Sequence, residues 1–258
     1  MAGKGEGDEK VRNVVVSDVT PLSLGIGMND GQMSVYIPRN TPMPARKEKI
    51  IKTVKDNQTS AMFAIYEGER SKATENNMVG QFWLKGIPAA PRGAAEIKVC
   101  FGIDENGVIN VSAEHLGRGV KNSITIANDK GRLSKKEIER MIGDAEKYKR
   151  EDEEYRRKAY MRNVLENYAY DMRDTTRSGG GRIGAGEKEK IEKAFASTMI
   201  WLRLHKAAEA EAECFNEKIK ELRRIYLPIV VKIYLSPSKQ KFVTIKKWIK
   251  SLSKCLAK

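Results

Sequence analysis

The chain is poor in the residues that build metal centres and redox pairs. Its 258 residues include three cysteines and two histidines. Cys100, Cys214 and Cys255 lie far apart and form no C-x-x-C pair, which argues against a zinc ribbon or a thiol redox motif. An odd cysteine count points to a reducing compartment. His115 and His205 cannot assemble a histidine-rich metal site, and both read as ordinary surface or internally satisfied residues. No nucleophile, histidine and carboxylate are spaced for hydrolysis. No run of 18 apolar residues is present, so no membrane-spanning helix is expected. The first eight residues, Met1-Ala2-Gly3-Lys4-Gly5-Glu6-Gly7-Asp8, hold no apolar stretch. No secretory signal is therefore expected, and the location expected is cytoplasmic.

Charge is plentiful and uneven. Charged residues make up 32% of the chain, above the usual ~25%, which predicts at least one long solvated helix. The apolar share, 40%, still allows a packed core. The net charge is +14, and seven lysines with no acid lie between Pro237 and Lys258. Half of the excess therefore sits in a short tail, so a specific nucleic-acid partner is not expected.

The hydrophobic pattern divides the chain. Residues 1–10 read as a disordered leader and 11–18, with Val14-Val15-Val16, as a linker-like apolar segment. Residues 19–131 read as all-β, because short β-branched runs alternate with turn clusters. Eight strands are expected, over 23–28, 32–37, 47–54, 62–67, 79–85, 97–103, 108–114 and 120–127. Ile97, Val99, Phe101 and Ile103 face Ile109, Val111 and Ala113 in strict period two, and Asn106-Gly107 between them predicts a tight hairpin. Eight short strands predict a β-sandwich.

The period changes after Leu133. Ser134-Lys135-Lys136-Glu137 reads as a capping box opening one helix of about 40 residues, with a charged, solvated stretch at 151–157. A glycine cluster at 178–186 lacks the preceding strand and the Lys-Ser/Thr that a phosphate loop requires, and Glu187 follows it. Two further helices are expected over 187–204 and 207–226, the second ended or kinked by Pro228. Residues 132–235 thus read as helical.

Several stretches carry a resemblance. Asp18-Val19-Thr20-Pro21-Leu22-Ser23-Leu24-Gly25-Ile26, Tyr66-Glu67-Gly68-Glu69-Arg70 and Gly86-Ile87-Pro88-Ala89-Ala90-Pro91-Arg92-Gly93 are three of them. Asp104-Glu105-Asn106-Gly107-Val108-Ile109-Asn110-Val111-Ser112-Ala113 and Leu165-Glu166-Asn167-Tyr168-Ala169-Tyr170 are two more. They resemble the substrate-binding half of heat shock 70 kDa (DnaK-type) chaperones of the eukaryotic cytosolic branch, over about residues 11–235. The resemblance implies an α+β fold: an antiparallel β-sandwich that binds peptides, followed by an α-helical lid. It implies a chaperone module for extended apolar segments of unfolded proteins, with the family's actin-like ATPase domain absent. On that reading the chain is not an enzyme and uses no cofactor of its own, ATP belonging to the missing domain. Unfolded polypeptides are the implied partners, with J-domain co-chaperones or a separate ATPase domain beside them.

Carried over position by position, the implied peptide pocket is Ile26, Met28, Ile51, Val54, Gln58, Ala61, Phe63 and Ile97, with Asn29 on the arch over the peptide. The implied lid latches pair Arg92 with Glu166 and Asp56 with Tyr170. Read from the residues alone, the apolar members are equally plain sandwich core. Ala61 stands where the family has valine and Ile51 where it has phenylalanine, and both changes remove volume, so a wider pocket for bulkier side chains is expected. Asn29 puts an amide where the arch has an apolar residue.

Residues 236–258 depart from the family. Phe242, Ile245, Ile249, Leu252 and Leu256 share one helical face among lysines. A basic amphipathic tail of this kind suits an anionic membrane surface or a calmodulin-like groove, which makes an interaction protein the alternative reading. A divergent end with no selected role is the plainer one.

Overall fold

A computed structural model of the chain describes residues 18–127, 133–178, 183–204 and 210–234. The leader, the Val14–Val16 segment, His205, Cys255 and the basic tail fall outside these residues. Two compact units result, residues 1–153 and 154–258, so the division falls inside a helix.

The first unit is built from eight strands: β1 (Leu24–Gly27), β2 (Met33–Ile37), β3 (Ala45–Lys52), β4 (Ser60–Glu67), β5 (Asn77–Lys85), β6 (Glu96–Ile103), β7 (Ile109–His115) and β8 (Lys121–Ile126). They form two antiparallel sheets of four, in the orders β2-β1-β4-β5 and β3-β6-β7-β8. The period-two pattern read from the sequence is the pattern of burial. Along β6 every second residue is buried, from Ile97 to Ile103, and β7 opposite does the same from Ile109 to His115. Their inward side chains join Leu24, Ile26, Ile37, Phe63, Ile65 and Leu84 of the other sheet in one shared core. Tyr36 of β2 stacks on Phe101 of β6 at 4.5 Å, and burial pushes its hydroxyl up to about 12.

Side-chain bridges tie both pairs of sheet edges. Lys49 of β3 donates to the Val35 carbonyl of β2 at 2.5 Å, with its ammonium over the Tyr36 ring. Asn122 of β8 donates to the Trp83 carbonyl of β5 at 2.8 Å. A lysine on an exposed edge also discourages pairing with another chain.

Several expected boundaries shift. Met28 falls beyond β1 and Val54 beyond β3, because loop hydrogen bonds claim their amides: Met28 donates to the Gln32 carbonyl and Val54 to Gln58 Oε1. At the β6–β7 turn only Gly107 has positive φ, at 75°. Asp104 Oδ1 accepts from both the Asn106 and Val108 amides, so Asn106 needs no left-handed conformation. His115 is buried, and its Nδ1 accepts from the Arg118 amide at 3.1 Å, which places a neutral ring's proton on Nε2.

The expected single long helix is two, α1 (Lys135–Lys147) and α2 (Lys149–Ser178). They part at Tyr148, whose φ and ψ are −98° and 16°. The Tyr148 ring carries the Arg70 guanidinium at 4.7 Å, while the Tyr148 amide still donates to the Asp144 carbonyl and the Tyr148 carbonyl still accepts from the Asp152 amide. The capping box forms as expected: Glu137 donates its amide to Ser134 Oγ at 3.3 Å and accepts the Ser134 amide at 2.7 Å.

In the second unit, α2 packs with α3 (Ala185–Leu204) and α4 (Ala212–Tyr234). Leu165, Met172, Ile191, Phe215 and Tyr226 are buried at its centre. Tyr168 meets Tyr226 edge to face, and burial pushes its hydroxyl up to about 12. Pro228 does not end α4 but lies inside it. Ile229 and Val230 just beyond it are buried, and that burial offsets the hydrogen bond that proline cannot make.

The Ser134 contacts hold the Glu137 carboxyl below its ordinary value of 4.5. A depressed folded pKa contributes stability above the unfolded value and loses it as pH falls through the folded one. The first turn of α1 is therefore expected to fray as pH drops below about 4.5, seen as faster amide exchange there. Glu137→Gln should flatten that pH dependence.

Candidate functional site

The site expected from sequence divides into a floor and a rim. Ile26, Phe63 and Ile97 are the floor: they are 2%, 2% and 1% exposed and belong to the shared core. Sheet register explains this. Ile97 sits opposite Ile51 across β6 and β3, while Ile26 pairs with Ile65 two residues along β4 from Phe63, whose ring stacks on Phe82 at 5.3 Å. Met28, Ile51 and Ala61 are half-buried and pack against that same core. Any guest from solvent meets these three before the floor.

The loops around the rim are fastened by specific hydrogen bonds. Gln58 accepts from the Val54 amide at 3.0 Å and donates Nε2 to the Ser60 carbonyl at 3.0 Å, which closes the β3–β4 loop on itself. Asn57 takes a positive φ of 55° and donates its amide to the Ala90 carbonyl. Thr53 donates to the Ala95 carbonyl and accepts from Gly93. Arg92 donates its amide to Asp56 Oδ1 at 2.9 Å and its Nε to the Val54 carbonyl at 3.2 Å. The β3–β4 and β5–β6 loops are thereby stitched into one scaffold. Asn29 is exposed at the tip of the β1–β2 turn, which is closed by Met28–Gln32 and Met28–Gly31 backbone bonds and by the Asp30 carboxylate accepting from Gln32.

Of the residues expected as latches, Arg92 and Asp56 meet each other within the first unit, backbone to carboxylate. Glu166 and Tyr170 belong to the second. There Arg162 donates to Glu166 at 3.3 Å, and Tyr170 packs edge to face on Phe195 at 5.2 Å.

Sequence reasoning missed one charged centre. Arg70 donates Nε to Asp152 Oδ2 at 3.0 Å and pairs with Glu75 at 2.6 Å. The Ser71 amide donates to Asp152 Oδ1 at 3.2 Å. Asp152 is buried, although it lies in the charged stretch read as a solvated helix face. The Tyr66–Arg70 stretch drew notice only as part of the resemblance.

The N-terminus of α3 is taken by Glu187, which accepts from the Gly184 amide at 2.9 Å, and that of α1 by Glu137. A phosphate at either place would face a carboxylate. Among the described residues no group of three His, Cys, Asp or Glu side chains is placed to hold a metal ion, and no helix is long and apolar enough to cross a membrane.

Two four-stranded sheets around one core, with half-buried apolar residues packed against it, form a β-sheet unit that is followed by a helical unit. The family model for "Hsp70 protein" matches residues 1–235. A heat shock 70 kDa protein from Neurospora crassa is 44% identical over 223 residues, covering 86% of this chain and 34% of the relative. One from Penicillium citrinum is 43% identical over 226 residues, covering 88% of this chain and 44% of the relative. The chain belongs to the Hsp70 family, and it spans less than half the length of these relatives.

This membership corrects two expectations. The chain was expected to be no enzyme and to use no cofactor. The match at residues 1–235 to a family that works with ATP overturns both negative statements.

Removing Asp152 leaves the half-buried Arg70 with Glu75 at 2.6 Å and Glu151 at 4.0 Å, and leaves the Ser71 amide without its acceptor. Asp152→Ala is expected to destabilise the first unit by about 1–3 kcal/mol, chiefly by leaving the Ser71 amide without its acceptor, in urea unfolding. Asp152→Asn, which keeps an acceptor for the Ser71 amide, should cost less.

Proposed function

We propose that the β-sheet unit holds extended apolar segments of unfolded polypeptides at the rim formed by Met28, Ile51, Val54 and Ala61. The helical unit, on the same reading, is the family's lid, and J-domain co-chaperones are partners of the whole protein. The observation that carries the proposal is the pairing of half-buried apolar side chains with a closed floor on hydrogen-bonded loops. Apolar rim residues that stay part-exposed beside hydrogen-bonded loops favour an apolar guest, because the guest completes their burial at little cost in ordering the loops. Backbone groups of an extended guest add hydrogen bonds that do not depend on its sequence, while one side chain meets the apolar rim. Burying that side chain contributes roughly 1.5–3 kcal/mol, which suits weak, sequence-tolerant capture.

Ala61 and Ile51 bear on the choice of guest. Both are small for their places in the family, and both line the rim. The pocket of this chain is therefore proposed to accept bulkier side chains than the family's usual leucine.

Titrating the full chain with a labelled, extended heptapeptide carrying a central phenylalanine or leucine tests both statements. Saturable binding in about the micromolar range is expected, with phenylalanine preferred. Ala61→Val should weaken the phenylalanine peptide about tenfold, and the leucine peptide less, by overpacking the wall. No saturation with either peptide up to about millimolar would overturn the proposal. A leucine preference that Ala61→Val leaves unchanged would reject the wider pocket.

A further inference from the structure

The turn between β7 and β8 hangs on one histidine. His115 ends β7 and is 7% exposed. Its amide donates to the Val120 carbonyl at 2.8 Å, and its carbonyl accepts from the Gly119 amide at 2.9 Å. Its ring supplies a third bond, accepting from the Arg118 amide at Nδ1 over 3.1 Å. The turn wraps closely on the ring: a Cβ at Gly117 would lie 3.0 Å from His115 Cε1, and Gly119 takes a positive φ of 65°. Val120 then packs against the shared core, and the Leu116 amide donates to the Glu96 carbonyl of β6 at 3.0 Å, beside the buried Ile97.

Of these bonds, the one to the ring is sensitive to pH. An imidazole changes charge between about pH 5 and pH 8. The Arg118 amide needs a lone pair on Nδ1, and the imidazolium has none, because both of its nitrogens donate. Protonation would set two N–H groups against each other and leave the amide without its acceptor.

The charges around the ring supply no counter-ion. His115 points inward with Ile109, Val111 and Ala113. Glu114 beside it, and Glu96 and Lys98 on β6, point to the outer face, where Glu114 pairs with Lys98 at 3.6 Å and Glu96 with Lys52 at 3.2 Å. Lys121 of β8 stands opposite Glu114 on that face, Arg118 is exposed in the turn, and Lys85 is exposed at the end of β5, next to Gly86, whose added Cβ would lie 3.8 Å from Val120. Among the described residues no carboxylate pairs with the His115 ring.

We propose that His115 makes the β7–β8 turn a pH-operated clasp, closed on the neutral ring and released when the ring takes a proton. The closed turn keeps the proton off Nδ1 and the open turn accepts it. The open form therefore binds more protons and gains population as pH falls. Release frees the Glu96 carbonyl and loosens the end of β6 beside Ile97, while the rest of both strands stays paired.

Amide hydrogen exchange and the ring nitrogen resonances of His115, followed together on the full chain from about pH 8 to about pH 5, test the clasp. Exchange is read relative to an unstructured chain at the same pH. The Arg118 and Leu116 amides are expected to lose protection at least about tenfold, along the same curve as protonation of the ring, while Val99 and Val111 stay protected. His115→Asn keeps an acceptor at the δ1 position without a group that titrates, and its Arg118 amide should stay protected across the range. An Arg118 amide that keeps its protection while the ring is protonated would overturn the proposal. So would a ring that stays neutral down to about pH 5. An equal loss in His115→Asn with Val99 still protected would assign the effect to another group, and loss at Val99 and Val111 along with Arg118 would make it unfolding of the unit; either result rejects the clasp.

Discussion

The shared core between the two sheets is the constraint on which the first unit depends. Neither four-stranded sheet can bury its apolar face alone, and β6 and β7 alternate so strictly that a slip of one residue would turn Val99, Phe101 and Val111 toward water. Once register is fixed, the edges follow. Lys49 reaches from β3 to β2 and Asn122 from β8 to β5, so the two layers are joined at both sides. What remains open is the ends, where the loops are. The rim of Met28, Ile51 and Ala61 lies at one end and a cavity beside Asp18 at the other.

A floor of fully buried Ile26, Phe63 and Ile97 has a consequence for binding. These side chains are committed to holding the sheets together, so on the proposed reading a guest would be held by the rim and by backbone groups. The site can then vary at Ala61 or Ile51 without dismantling the fold, whereas a large-to-small change at Phe63 would open a cavity in the core, at a cost of about 3–5 kcal/mol. Stability and specificity are thus carried by different residues that are neighbours in the same strands.

The strands were legible because period two is a local signal, and all eight are present within a few residues of the expected places. Their ends were less so. Met28 and Val54 continue an apolar run in sequence, and only the loop hydrogen bonds of Gln32 and Gln58 take them out of the strands. The ring contact of Tyr148 and the burial of Asp152 were invisible, because both involve Arg70, about 80 residues earlier. At Pro228, of the two readings, an end or a kink, the end is excluded: the helix runs on through the proline, with Ile229 and Val230 buried beyond it. At the site, residue types and order supplied the candidates, but composition could not separate floor from rim. That distinction is one of degree of burial within a single apolar cluster.

The most direct measurement is methyl resonance mapping of the full chain as an unlabelled, unfolded client is added. The account predicts shifts at Met28, Ile51, Val54 and Ala61, with Met62 on the same sheet unmoved. Shifts centred on Met62, or no methyl response at the rim while the client is bound, would contradict it.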